Sequence, residues 1–192
     1  MDSGSVAFLR ELLADSGWIE RTREFGMALR ATRSPGGLLL VGTPLEEPWH
    51  LTAHLADEAR LAGLPQLTPT LVRWAPPPGA PPHLRVGLER LEEAGRGETL
   101  LVVAETGAPV PLLERVDDAR RTGATILALE GGDAELAGLA HDAIAVPLDA
   151  PLSFDGAQHL VSAAAGEVPR RPTLRDRLAR LLERVSGPQV TD

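Results

Sequence analysis

The stretch that decides the fold is ETLLVVAETGAPVPLLERVDDARRTGATILALEGG, running from Glu98 to Gly132. It opens on an apolar run, LLVVA, passes through the turn AETGAP into residues with helical apolar spacing, and closes on a second apolar run, ILAL. Runs this short and this uniformly apolar suit strands buried on both faces, as in a parallel sheet. A helix between two of them makes a βαβ unit. In such units the turn after the first strand, at the N-terminus of the helix, is where anionic ligands sit. Here that turn carries Glu105, an acid, and Pro109, which has no N–H to offer.

Working outward, GLLLVG (37–42), LTPTLVRW (67–74) and DAIAVPL (142–148) read as further strands, which makes five. Helical spacing is expected over SVAFLRELLADSG (5–17) and WIERTREFGMALRAT (18–32). It recurs in EEPWHLTAHLADEARLAG (46–63), HLRVGLERLEEAGRG (83–97), DAELAGLAH (133–141) and SFDGAQHLVSAAAGEV (153–168). In the helix around residue 50, Trp49, Ala53, Ala56 and Ala59 are the expected packing positions. APPPGAPP (75–82) is a stiff proline connector. Alternating short apolar strands and helices predict an α/β fold, a three-layer αβα sandwich around a five-stranded parallel sheet. The expected organisation is N-terminal helices over 1–35 packing on the core or a partner subunit, an α/β core over 36–168, and an arginine-rich helix and tail over 169–192.

Composition narrows the chemistry. The 192 residues contain no Cys and no Tyr, and all 19 basic residues are Arg, so thiolate nucleophiles, Schiff-base lysines and Tyr acids are excluded. The formal charge of −8 argues against nucleic acid as a partner. PRRPTLRDRLARLLER, interleaved with Asp176 and Glu183, reads as the solvated face of a helix. The N-terminus lacks a signal-peptide pattern and no apolar run is long enough for a membrane span, which predicts a cytoplasmic protein. The abundance of Ala, Gly, Pro and Arg without Lys suggests a GC-rich bacterial genome.

Over most of residues 36–167, and most specifically at Glu98–Pro147, the chain resembles the sugar isomerase (SIS) domain family. The family pattern is a strand, a turn of the form S-T-S-G-x-[ST], a helix ending in Gly-Ala, and a strand followed by L-A-x-x-A-D-x-x-x-x-V-P. Two N-terminal helices and this chain length are similar to phosphoheptose isomerases. Carried over by position, the phosphate-holding turn falls on Ala104, Glu105, Thr106, Gly107, Ala108 and Pro109, so Thr106 is the one hydroxyl left. Pro109 and Pro111 reduce the N–H donors at the helix start. Glu105 adds about 1–4 kcal/mol of repulsion toward an anion, depending on the local dielectric. The first turn, GTPLEEPWH, replaces the family's glycine-rich loop with Pro44, Leu45, Glu46, Glu47 and Pro48. The catalytic His that zinc-dependent relatives carry about two turns after Gln158 falls on Gly166.

The resemblance therefore implies a non-catalytic SIS-like binding or regulatory module, for a carbohydrate derivative, with the phosphate cradle lost. Its pocket is expected between Thr43, Glu46, Glu105, Thr106 and Gly107. It needs no cofactor and dimerises through its helices. An active sugar-phosphate isomerase with an atypical phosphate site is the alternative, and a structural or protein-interaction component the third reading. His50 and His54, four apart on a helix, are the candidate metal ligands, joined by Gln158 or His159; the competing reading is two histidines satisfied by nearby carboxylates. Trp18, Trp49 and Trp74 are stacking platforms or packing residues. Asp155 and Glu167 are acid–base candidates without a partner at diagnostic spacing, and His83 and His141 read as helix-end residues.

Overall fold

The computed structural model describes Leu13 and residues 17–167. The expected helix over 5–17, Leu13 and Gly17 apart, and the arginine-rich helix beyond 168 lie outside the described residues. In chain order the elements are α1 (Trp18–Arg30), β1 (Leu38–Val41), α2 (Trp49–Ala62), β2 (Pro69–Val72), β3 (Thr99–Ala104), α3 (Val110–Thr122), β4 (Thr125–Glu130), α4 (Ala134–Leu139), β5 (Asp142–Ala145) and α5 (Phe154–Gly166). The five strands form one sheet in the order β2-β1-β3-β4-β5, and every pairing is parallel. This is the three-layer α/β architecture that the strand–helix alternation predicts.

Every residue of β1 and β3 is buried, because helices cover both faces of the sheet. Side chains alternate between two cores. Leu38, Leu40, Leu101 and Leu127 meet Phe25, Leu55 and Leu160 under α1, α2 and α5. Leu39, Val41, Leu100 and Ile126 meet Leu112, Val116 and Leu136 under α3 and α4. Asp133 caps α4, accepting from the backbone N–H of Glu135 and Leu136 at 3.0 Å each. Ser153 caps α5 through Gly156 N at 3.1 Å. These fix where the connections at the carboxyl end of the sheet begin and end.

Two local expectations change. The segment 83–97 is not a helix: it makes short 3-10 turns at Pro82–Leu84 and Leu88–Leu91. Arg73 N donates to Val86 O at 2.8 Å and residue 73 bridges Gly87 in parallel, so the chain prolongs the edge beyond β2. Gly87 is extended (φ −98°, ψ −179°), which interrupts the helical path at the middle of the segment, and Leu91 and Ala94 still reach the core. The second change is in α2, whose buried face is Leu51, Leu55 and Ala59. Trp49 is 41% exposed and Ala53 faces solvent. Of the expected positions Ala59 packs in the core, and Leu51 and Leu55 fill the rest of the space over the sheet.

α1 and α5 pack at backbone distance. A Cβ added to Gly26 would lie 2.7 Å from the Ala164 carbonyl carbon and 2.8 Å from Ala165 N. Arg30 then ties the two helix ends, its guanidinium donating to Ala164 O at 2.9 Å and also to Glu167 O. Replacing Gly26 by Leu is expected to force the helices apart at a cost of about 1–3 kcal/mol. For a chain of this size that lowers Tm by about 2–10 °C in calorimetry; an unchanged Tm would show that the contact is not close.

Candidate functional site

The strand order reverses between β1 and β3, the position where ligands bind in open α/β sheets. At the carboxyl end of the sheet, three connections and the first turn of α5 meet there. In the connection after β1, Thr43 and Glu46 exchange both backbone hydrogen bonds, at 3.1 and 3.2 Å. The turn folds back so far that a Cβ on Gly42 would stand 2.0 Å from Glu46 O. The edge strand holds it in place. Trp74 Nε1 donates to Gly42 O at 2.8 Å. Arg73 grips Glu47, with Nε 3.0 Å from Oε2 and Nη2 2.9 Å from the same oxygen. Both side chains are only 15% exposed, and the Arg73 guanidinium lies 4.6 Å from the Trp49 ring centroid.

The connection after β3 contains AETGAP. Its Ala108 N–H, at the entry to α3, donates to Asp133 Oδ2 at 2.7 Å. Asp133 uses its other oxygen to cap α4, so one carboxylate bridges two helix starts. Glu130, only 3% exposed at the end of β4, accepts from Asp133 N at 2.5 Å and also from Gly132 N. A Cβ on Gly131 would lie 2.0 Å from Glu105 O, so the turns after β3 and β4 pack backbone to backbone. One donor at the entry to α3, Ala108 N–H, and two before α4, those of Gly132 and Asp133, are thus engaged by carboxylates of the chain itself.

The expected ligand residues separate into two groups. Glu46 and Glu105 come together, joined by Asp155 from α5: burial first, and then the charges of Glu105 and Asp155, push the Glu46 carboxyl above its usual range. Thr106 and Gly107 are exposed in the same turn. Thr43 is 3% exposed, and its hydroxyl has no hydrogen-bond partner among the described residues.

Between α2 and α5, His54 and His159 stand edge to face with ring centroids 4.5 Å apart. Burial above all, and then His54, hold His159 below the ordinary imidazole value, with His50 adding in the same sense and Asp155 opposing. Among the described residues no group of three or more His, Asp or Glu is placed to hold a metal ion. The space at Gly166 is taken: a Cβ there would lie 1.9 Å from Glu58 Oε2. His141 is engaged structurally, Nδ1 accepting from Ile126 N at 2.9 Å, and His83 is exposed. Sequence reading missed Asp133, Glu130 and the Arg73–Glu47 pair. An Asp directly before AELAGL is a visible helix-cap signal; its second partner, 25 residues away, is not.

No family model matches the chain, and no curated protein does. Solved structures do. A provisionally named phosphosugar isomerase of Silicibacter pomeroyi aligns at TM-score 0.53 and 21% identity, over 93% of this chain and 51% of its own length. The sugar isomerase domain of an RpiR transcription factor from Sphaerobacter thermophilus aligns at 0.50 and 15% identity, over 96% and 94%. The NanR protein of Vibrio vulnificus, solved with ManNAc-6P, aligns at 0.50 and 12% identity, over 98% and 69%. The fold is that of a SIS domain. The chain spans about half the length of the Silicibacter protein.

Two titrations test this geometry. Because folding raises the Glu46 value, its contribution to stability is complete below 4.5, the ordinary value, and is lost as pH rises through the raised one. Glu46→Gln is therefore expected to raise Tm at pH 7 and leave it unchanged at pH 4; equal effects at both would contradict the clustering. Folding lowers the His159 value, so its contribution is complete above 6.5 and is lost as pH falls through the folded value. Denaturant melts from pH 7.5 to 5 should show a declining stability, and His159→Gln should flatten that decline.

Proposed function

We propose that this chain is a binding or regulatory SIS domain for a carbohydrate derivative, that it does not isomerise sugar phosphates, and that its crevice selects a ligand without relying on a phosphate group. The observation that carries this reading is the 2.7 Å hydrogen bond from Ala108 N to Asp133 Oδ2. It engages a donor at the entry to α3 with a fixed negative charge. Glu46, Glu105 and Asp155 add three more carboxyl groups at the same end of the sheet, a field that repels a phosphate dianion and attracts hydroxyl and amino groups. Gly166, at the position where zinc-dependent relatives carry a catalytic His, has no side chain to act as acid or base, which supports the absence of catalysis.

The ligand residues in this reading are Glu46, Glu105, Thr106 and Gly107, with Thr43 beneath them. His50 and His54 serve as polar groups beside the crevice in place of metal ligands. Leu45 and Leu148 in connections and Val110 at the start of α3, all exposed in large part, lie at the carboxyl end of the sheet, which supports a homodimer that covers this end. The charge of −8 supports a small-molecule partner over nucleic acid. No helix of the described residues is long and apolar enough to cross a membrane, and we place the protein in the bacterial cytoplasm.

The test is calorimetric titration with glucose, glucosamine, glucose 6-phosphate and a heptose phosphate, alongside a coupled isomerase assay. Expected are no turnover and no preference for a phosphorylated sugar at the crevice. Binding of a sugar phosphate at least about tenfold tighter than its parent sugar, about 1.4 kcal/mol, and weakened by Thr106→Ala, would overturn the reading. So would aldose–ketose interconversion.

A further inference from the structure

The opposite end of the sheet carries charge of the other sign. Most described arginines have a carboxylate partner, as Arg73 has Glu47 and Arg90 has Glu98. Arg33 and Arg96 make no ion pair among the described residues, and both line one depression of about 450 Å³ at the amino ends of β3 and β4. Their stems are seated on glycines. Gly97 lies against Arg33, where an added Cβ would stand 3.6 Å from the Arg33 Cβ. Gly123 lies against Arg96, where an added Cβ would stand 2.8 Å from the Arg96 Cγ. Both glycines have positive φ, 89° and 101°, so the backbone there is shaped in a way side-chain-bearing residues resist.

The one acid in the lining is already engaged. Glu98 accepts from Gly95 N at 3.0 Å through one oxygen and pairs with Arg90 through the other. Thr125, exposed at the rim, adds a hydroxyl. The carboxyl ends of α1 and α3 border the depression at Ala31 and Gly123 and contribute partial negative charge. Attraction for an anion therefore comes from the guanidinium groups, whose planar donor forks match tetrahedral and planar oxyanions.

We propose that this depression is an anion site, and that it takes a small oxyanion of the phosphate class, held by Arg33 and Arg96 with Thr125 at its edge. It lies across the sheet from the crevice of the proposed function and does not depend on that reading. A phosphorylated ligand binding here would leave the turn at Thr106 untouched.

The probe is inorganic phosphate, titrated into the ¹⁵N-labelled full chain at constant ionic strength with chloride as the balancing ion. Expected are saturable shifts of the Gly97 and Gly123 amides with a midpoint of about 1–10 mM, while Gly107 stays fixed. Arg33→Gln and Arg96→Gln should each raise the midpoint about fivefold or more, and the double variant should abolish saturation with Tm unchanged. Arg→Lys at both positions keeps the charge but loses the fork, and should restore binding in part. Shifts that remain linear in phosphate, or that survive the double variant, would overturn the proposal.

Discussion

A parallel sheet covered on both faces is the constraint on which the rest of this molecule depends. β3 sits between β1 and β4, and all six of its residues are buried. A strand so placed is apolar apart from Thr99 at its start, whose hydroxyl accepts from Thr32 Oγ1 at 2.8 Å, and all its connections must leave from the two ends. At the carboxyl end, the turns after β3 and β4 are in backbone contact, so close that a Cβ added to Gly131 would lie 2.0 Å from Glu105 O. Chemistry in this fold is decided by what those turns carry, because nothing else along the strands is free to vary.

Here they carry acids. Asp133 holds Ala108 N–H, Glu130 holds the two N–H groups before α4, and Glu46 lies with Glu105 and Asp155. Each carboxylate either satisfies a donor that would otherwise face a ligand or raises the cost of bringing an anion close. The sheet's other end has the reverse pattern, with Arg33 and Arg96 outside any ion pair of the described residues and seated over glycine backbone. Two ends with opposite charge on one rigid sheet can hold different ligands without competing.

The strands and their order of appearance were legible because apolar runs such as LLLV and LLVVA admit one environment. The segment 83–97 was not legible as it stands. Its leucine spacing fits a helix, but pairing of residue 73 with Gly87 extends the edge of the sheet and takes precedence. In α2 Ala59 packs as its spacing suggests, whereas at the other positions volume favours Leu51 and Leu55 over Trp49, Ala53 and Ala56. Of the site, Glu46 and Glu105 were visible as acids in turns, and their proximity results from the strand order. The Asp133–Ala108 bond spans 25 residues and leaves no local pattern beyond a helix cap, so its role could be seen only once β3 and β4 were side by side.

The central claim is that a carboxylate of the chain occupies the donor at the start of α3. The most direct measurement is the ¹⁵N–¹H resonance of Ala108 in the wild-type chain and in Asp133→Asn. An amide bonded to a carboxylate should lie downfield, exchange slowly with solvent and ignore added phosphate. In the variant it should move upfield and exchange faster. An Ala108 amide that exchanges freely, or that shifts saturably with phosphate in the wild-type chain, would contradict the account.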